Sequence, residues 1–250
     1  MINDIIRTAG GFAGDVSVWY MDLESGSTAA FDEKKPLIAA SVIKLFIMAE
    51  AFRQFESGAL SPDEEFVITA DVKKPSCGAL TYMHDGLKVT AMDLVVLMII
   101  LSDNTATNML INRLGMENIN DMIKNVIGAE GCALNRVLFD SEASRRGIQN
   151  YITAAGVGKM LKMVYDRELV SAEASEKMLA IMLDQRLNGK SPFFLDCDIA
   201  HKTGEDDGTT HDAAIVFAEK PFILVMLSNN VDVPAYERFM QDAAKELAEE

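Results

Sequence analysis

Hydrophobic and polar positions divide the chain into strand-like ends and a helix-rich middle. Residues 2–9 carry apolar positions at helical spacing, and Gly10, Gly11 and Gly14 break the pattern. Val16-Ser17-Val18-Trp19-Tyr20-Met21 is β-branched and aromatic, Glu24–Ser27 reads as a turn, and Thr28–Phe31 follows. That order predicts a β-hairpin. Pro36 separates the hairpin from a helix predicted to begin near Ser41 and to run to about Ser57, with Gly58 as its stop. The apolar residues of this helix, from Val42 and Ile43 to Ala51 and Phe52, cover most of its circumference, which predicts a place at the centre of the fold.

Helical patterns dominate from Leu60 to about Leu195. Thr90-x-x-Asp93 is a capping signature ahead of Leu94–Leu101, a run apolar on every side. It predicts a deep core helix and is too short to span a bilayer. Ser102-Asp103-Asn104 ends it, a second helix is predicted from Thr105 to Leu114 with Gly115 as its stop, and further helices at Met116–Ile127, Ala154–Tyr165 and Ser171–Leu183. Leu134 to Tyr151 shows little periodicity and is predicted to be a long loop, a kind that often carries function. Ile199–Thr203, Ala213–Ala218 and Phe222–Ser228 read as strands joined by turns at Gly204–Gly208 and Glu219–Pro221, with a last amphipathic helix from Pro234. Strands at both ends around a helical middle predict an α+β fold. In it, residues 1–60 and 196–250 build a sheet-and-helix layer, and residues 61–195 form an inserted all-α region.

Composition narrows the partners. Half of the residues are apolar and a quarter charged, as in an ordinary globular protein, but the formal net charge is −15. Nucleic acids and anionic membrane surfaces need basic patches, so neither is expected as a partner. An anionic substrate would need a local positive centre against this overall field. Cys77, Cys132 and Cys197 are far apart and odd in number, which points to free thiols. No Cys or carboxylate stands at ligand spacing from His84, His201 or His211, so no metal site is expected. The first residues show no basic start ahead of a long apolar region, so the expectation is a cytosolic protein or an exported one whose leader has been removed.

The candidate chemistry begins at Ser41-x-x-Lys44. On a helix, positions i and i+3 share a face, so a lysine can reach a serine hydroxyl and take its proton once burial lowers the pKa of the amine. The plain alternative is a helix N-cap serine followed by a surface lysine. Two later motifs decide against that alternative. Ser102-Asp103-Asn104 and Lys202-Thr203-Gly204 follow in order; 61 positions separate Ser41 from Ser102, and 100 separate Ser102 from Lys202.

This set resembles the class A β-lactamases and penicillin-binding proteins in motif type, order and spacing, across nearly the whole chain. The resemblance implies a β-lactamase/transpeptidase-like fold: an antiparallel sheet flanked by helices, an inserted all-α region, and a site in the cleft between the two parts. It implies Ser41 as acylated nucleophile, Lys44 as proton acceptor, Ser102 as proton relay to the leaving nitrogen and Lys202 as positive potential beside it. It also implies Asn104 on a substrate amide and Thr203, with Gly204, on a substrate carboxylate. The N–H groups of Ser41 and Glu205 would form the oxyanion hole. No cofactor is implied, the partner is a small β-lactam or peptide-like molecule, and a monomer is expected.

The match fails in three places. The family's Glu-x-x-x-Asn pattern, whose glutamate activates the deacylating water, is missing between Leu134 and Asn150, where Asp140 and Glu142 are the only carboxylates. Glu205-Asp206-Asp207 follow Lys202-Thr203-Gly204 where the family has small or neutral residues. Cys77-Gly78 replaces a Ser-Gly pair common in related hydrolases, which places Cys77 near the cleft or makes it a structural thiol. Three readings stay open: a β-lactam hydrolase that deacylates slowly, a D-Ala-D-Ala peptidase or esterase, and a sensor domain that remains acylated.

Overall fold

Both chain ends meet in one sheet in the computed structural model, which describes residues 1–249. Helix α1 (Ile2–Ala9) precedes the hairpin of β1 (Asp15–Asp22) and β2 (Thr28–Phe31). A short strand, β3 (Leu37–Ile38), leads through a 3₁₀ turn at Ala40–Ile43 into α2 (Lys44–Ser57). A ribbon of β4 (Glu65–Val67) and β5 (Lys88–Thr90) is followed by α3 (Ala91–Ile100), α4 (Asn104–Leu114) and α5 (Met116–Asp121), which runs on as a π-helical turn to Ile127. Then come α6 (Ser141–Arg145), β6 (Tyr151–Ile152), α7 (Ala154–Tyr165) and α8 (Ala172–Leu183). Strands β7 (Ile199–Asp206), β8 (Thr209–Val216) and β9 (Phe222–Asn229) precede α9 (Val233–Ala248).

The main sheet has the order β2-β1-β9-β8-β7 and is antiparallel throughout. Pairing of β1 with β9, from Asp15↔Asn229 to Asp22↔Phe222, is the contact that joins the two ends of the chain. Strands β8 and β9 are buried on both faces, which is why they read as apolar runs rather than alternating ones. Ala214, Leu224 and Met226 face α1 and α9, while Ala213, Ile223 and Val225 face the helical layer. That second face continues into a core built around α2, whose Leu45, Phe46, Ile47 and Met48 are fully buried. Burying each such side chain is worth roughly 1.5–3 kcal/mol, so a helix buried all round anchors its first residue, Lys44, firmly.

The Thr90–Asp93 capping box forms as the sequence predicts, and Gly58 ends α2 in the left-handed conformation. Three boundaries differ. Ser41 neither opens an α-helix nor caps one; it sits in a 3₁₀ turn whose first residue, Ala40, is held at φ 41°. The turn predicted at Gly204–Gly208 shrinks to Asp207–Gly208, because Glu205 and Asp206 still pair with Thr210 and Thr209 and only Gly208 takes positive φ. The segment predicted as one loop holds α6 and β6, the latter paired with β3. Elements of five and two residues are too short to leave a periodic signal. No helix among the described residues is long and apolar enough to cross a membrane.

Candidate active site

Ser41 and Lys44 face each other across one turn, with Lys44 Nζ 2.9 Å from Ser41 Oγ. The same amine lies 2.8 Å from the Ser102 carbonyl, 3.0 Å from Ser102 Oγ and 2.9 Å from Asn104 Oδ1. Lys44 is completely buried, and no carboxylate bonds it. Burial, and after it the charge of Lys202, pushes its pKa well below the ordinary lysine range. A neutral amine has two N–H donors, for the Ser102 carbonyl and Asn104 Oδ1, and one lone pair that points at Ser41.

Ser102, Asp103 and Asn104 turn the chain from α3 into α4. Ser102 takes φ 53°, and positive φ at the non-glycine residues Ala40, Ser76 and Phe139 joins it in framing the site. Such strain is held in place only by strong surrounding contacts. Asp103 supplies several of them. One carboxylate oxygen caps α4 through the Ala106 N–H, and the other accepts the N–H groups of Ala79 and Leu80. Gly78, at φ 109°, permits this approach; a Cβ there would lie 2.3 Å from the Asp103 carboxylate. Asn104 donates its amide to the Pro75 carbonyl at 3.1 Å, leaving its oxygen on Lys44.

Strand β7 closes the other side. Lys202 Nζ lies 3.1 Å from Ser102 Oγ and 2.7 Å from the Thr203 carbonyl, so Ser102 bridges the two lysines. Lys202 is buried, which lowers its pKa to about 7, with Lys190 contributing as a second cation. Gly204 lets β7 lie against the Ser41 turn: a Cβ would sit 3.2 Å from Val42 and 3.3 Å from Ala40, the residues flanking Ser41. Beneath the strand, burial would raise the Asp212 carboxyl, but His201 beside it, Lys190 and the Ser191 N–H hold it low. His211 donates from Nε2 to the Ile38 carbonyl and accepts the Ser228 N–H at Nδ1; burial takes its pKa to about 4. Among the described residues, no group of three His, Cys, Asp or Glu is arranged to hold a metal.

Ser41 opens into a cleft of about 530 Å³ whose walls include Cys77, Asn104, Leu138, Asp140 and Glu205. Thr203 and Gly204 lie buried in the strand at its edge, while Glu205 is exposed. The loop expected to hold a base is pinned by two asparagines. Asn150 binds the backbone of Asn135 and Arg136, and Asn108 clasps Leu138 through both its N–H and its carbonyl. Asn108 stands one turn beyond Asn104 on the same face of α4, so the residue it presents over the site is Leu138. Glu142 is exposed and sits 3.8 Å from Arg146, and the Asp140 carboxylate caps α6 through the Ala143 N–H. All three cysteines are free.

Sequence reading overlooked Lys190, Asp103, Asn108 and Leu138. Asp103 stood inside a motif and could have been flagged as the cap of α4; the others carry no pattern of their own. The sequence matches the model of the β-lactamase enzyme family over residues 1–250. The chain belongs to the β-lactamase enzyme family. A β-lactamase of Streptomyces fradiae is 25% identical to it, over 91% of this chain and 78% of that one. Among solved structures, a β-lactamase from Sphaerobacter thermophilus has a TM-score of 0.91 at 24% identity, covering 98% of this chain and 94% of its own. PBP-A has a TM-score of 0.88 at 24% identity, covering 99% and 94%. The fold is therefore that of β-lactamases and transpeptidases, and this family member is a serine β-lactamase-like hydrolase.

Proposed function

We propose that Ser41 is acylated by a β-lactam or related cyclic amide, and that the acyl-enzyme is hydrolysed slowly. The observation that carries this reading is the Lys44 amine, buried without a carboxylate and within 3.0 Å of both Ser41 Oγ and Ser102 Oγ. Neutral Lys44 takes the Ser41 proton as Oγ attacks the carbonyl carbon. The N–H groups of Ser41 and Glu205 receive the developing oxyanion. The proton then passes from Lys44 to Ser102, which delivers its own to the leaving nitrogen, opening the ring. Lys202 supplies positive potential at Ser102, Asn104 orients a substrate amide, and Thr203, beside Gly204, receives a substrate carboxylate. This reading includes the division into a layer of residues 1–60 and 196–250 and a region of 61–195, with the cleft at their junction. The second region, expected to be all-α, also holds the β4–β5 ribbon and β6.

Deacylation is the weak half. Among the described residues, the loop position clasped beside the Ser41 cleft is held by Leu138 and not by a glutamate. That observation favours, as a second reading, a peptidase or a sensor that keeps its acyl group. The likeness to PBP-A is in keeping with it, as a PBP-A variant is known as an acyl-enzyme complex with penicillin-G. Mixing the protein with a chromogenic cephalosporin, while following product and intact mass, separates the readings. A stoichiometric burst with an adduct on Ser41 and slow sustained turnover is expected. A burst with no later turnover supports the sensor; no adduct, with cleavage of a D-Ala-D-Ala peptide, leaves only the peptidase.

The acylation rate should also follow the two lysines. It falls at acid pH as Lys44 gains a proton, and it falls above about pH 7 as Lys202 loses its charge, the two amines titrating as a pair. Lys202→Arg keeps its charge at every working pH and should carry the rate to higher pH. Burst rates between about pH 5 and pH 10 measure this, and an unshifted alkaline limb in Lys202→Arg argues against the assignment.

A further inference from the structure

The acidic turn after Lys202-Thr203-Gly204 looks adverse to an anionic substrate, and the structure shows what one of its carboxylates does. Lys190, in the segment before the 3₁₀ turn at Ser191–Phe194, is buried with its side chain 4% exposed. Its amine donates to the Gly204 carbonyl at 3.0 Å and the His211 carbonyl at 3.2 Å, across β7 and β8. The Glu205 carboxylate lies 3.3 Å from it and the Glu237 carboxylate 3.8 Å. Side chains two apart on a strand share a face, so Glu205 and Thr203 project to the same side of β7. Glu205 also lines the Ser41 cleft, and its side chain is 60% exposed. Lys190 is thus a cation one strand position from the Thr203 site, covered on the cleft side by a carboxylate of the same chain.

We propose that Glu205 is a specificity-determining residue: its side chain masks Lys190, the cation that a substrate carboxylate would otherwise approach, and so disfavours anionic acyl donors against neutral ones. Two carboxylates face one ammonium here, so Lys190 itself offers no spare positive charge to an incoming anion. Asp206, the next residue, lines the same cleft but takes the Asp207 N–H and is not paired with Lys190. Glu237 is held by the Thr210 hydroxyl as well, so Glu205, the more exposed carboxylate, is the one that yields.

The inference rests on acylation of Ser41, and the test keeps the two apart. Acylation rates are measured by intact mass for benzylpenicillin, which has a free carboxylate, and for its methyl ester, which does not. Both use the same nucleophile and the same backbone N–H groups, so the ratio of the two rates isolates the side chain at 205. In Glu205→Gln the ratio of anionic to neutral donor should rise by roughly five- to tenfold at low salt, the scale of one partly exposed charge a few ångströms away. In Asp206→Asn it should change by less than about twofold, because no cation is uncovered. Equal rises in the two variants would reduce the effect to general repulsion and overturn the mask, as would an unchanged ratio in Glu205→Gln. Absence of any Ser41 adduct with either penicillin would instead overturn the acylation reading on which the mask depends.

Discussion

Ser41→Ala is expected to remove the covalent adduct with a penicillin and to lower β-lactam turnover by about 10⁶-fold, the scale on which a serine hydrolase depends on its nucleophile. Ser102, the other serine that bonds Lys44, is not placed to replace it. Ser102 Oγ is buried and held between Lys44 and Lys202 at 3.0 and 3.1 Å. The substitution should leave the fold intact, since Lys44 retains Ser102 and Asn104 as partners and α2 stays packed on all sides. Intact mass after incubation with penicillin, beside the melting curve of the variant, measures both halves. A folded Ser41→Ala protein that still forms the adduct would sink the assignment of the nucleophile.

Leu138→Glu should shorten the lifetime of the acyl-enzyme by about 10²–10⁴-fold, the usual contribution of a general base. Asn108 clasps Leu138 by both backbone polar groups, so the substitution changes the side chain without releasing the loop. Leu138 is half-buried at the wall of the Ser41 cleft, where a carboxylate can stay ionised and reach a water beside the acyl group. Asp140→Asn is the companion variant. Its carboxylate already serves as the cap of α6, and asparagine keeps the Oδ1 acceptor for the Ala143 N–H, so both the helix and the acyl-enzyme lifetime should be unchanged. Lifetimes are read from the decay of the adduct mass. An unaltered lifetime in Leu138→Glu, with acylation intact, would show that the clasped position is not where the water is activated.

These expectations join a site that was largely legible in the sequence to a loop that was not. Ser41, Lys44, Ser102, Asn104 and Lys202 converge within hydrogen-bond distance, as three spaced motifs implied. Helix α7 falls where periodicity placed it, because it buries one stripe of side chains, and the hairpin forms from the β-branched and aromatic run and the turn that predicted it. Loop structure is different. Whether Asp140, Glu142 or Leu138 faces the nucleophile depends on which backbone groups Asn108 and Asn150 hold, and those partners lie 14 to 30 residues away.

The sequence by itself determined which residues meet: two serines, two lysines and an asparagine, in three motifs whose order and spacing local elements preserve. Tertiary structure alone decided the electrostatics. The pKa of Lys44 is lowered because the first turns of α2 are buried on every side, and burial disfavours the charged amine. Lys190 comes to lie under Glu205 only when β7 pairs with β8 and brings two distant carbonyls to one point. Burial and partner distance are properties of the packed chain that neighbouring residues in the sequence do not encode.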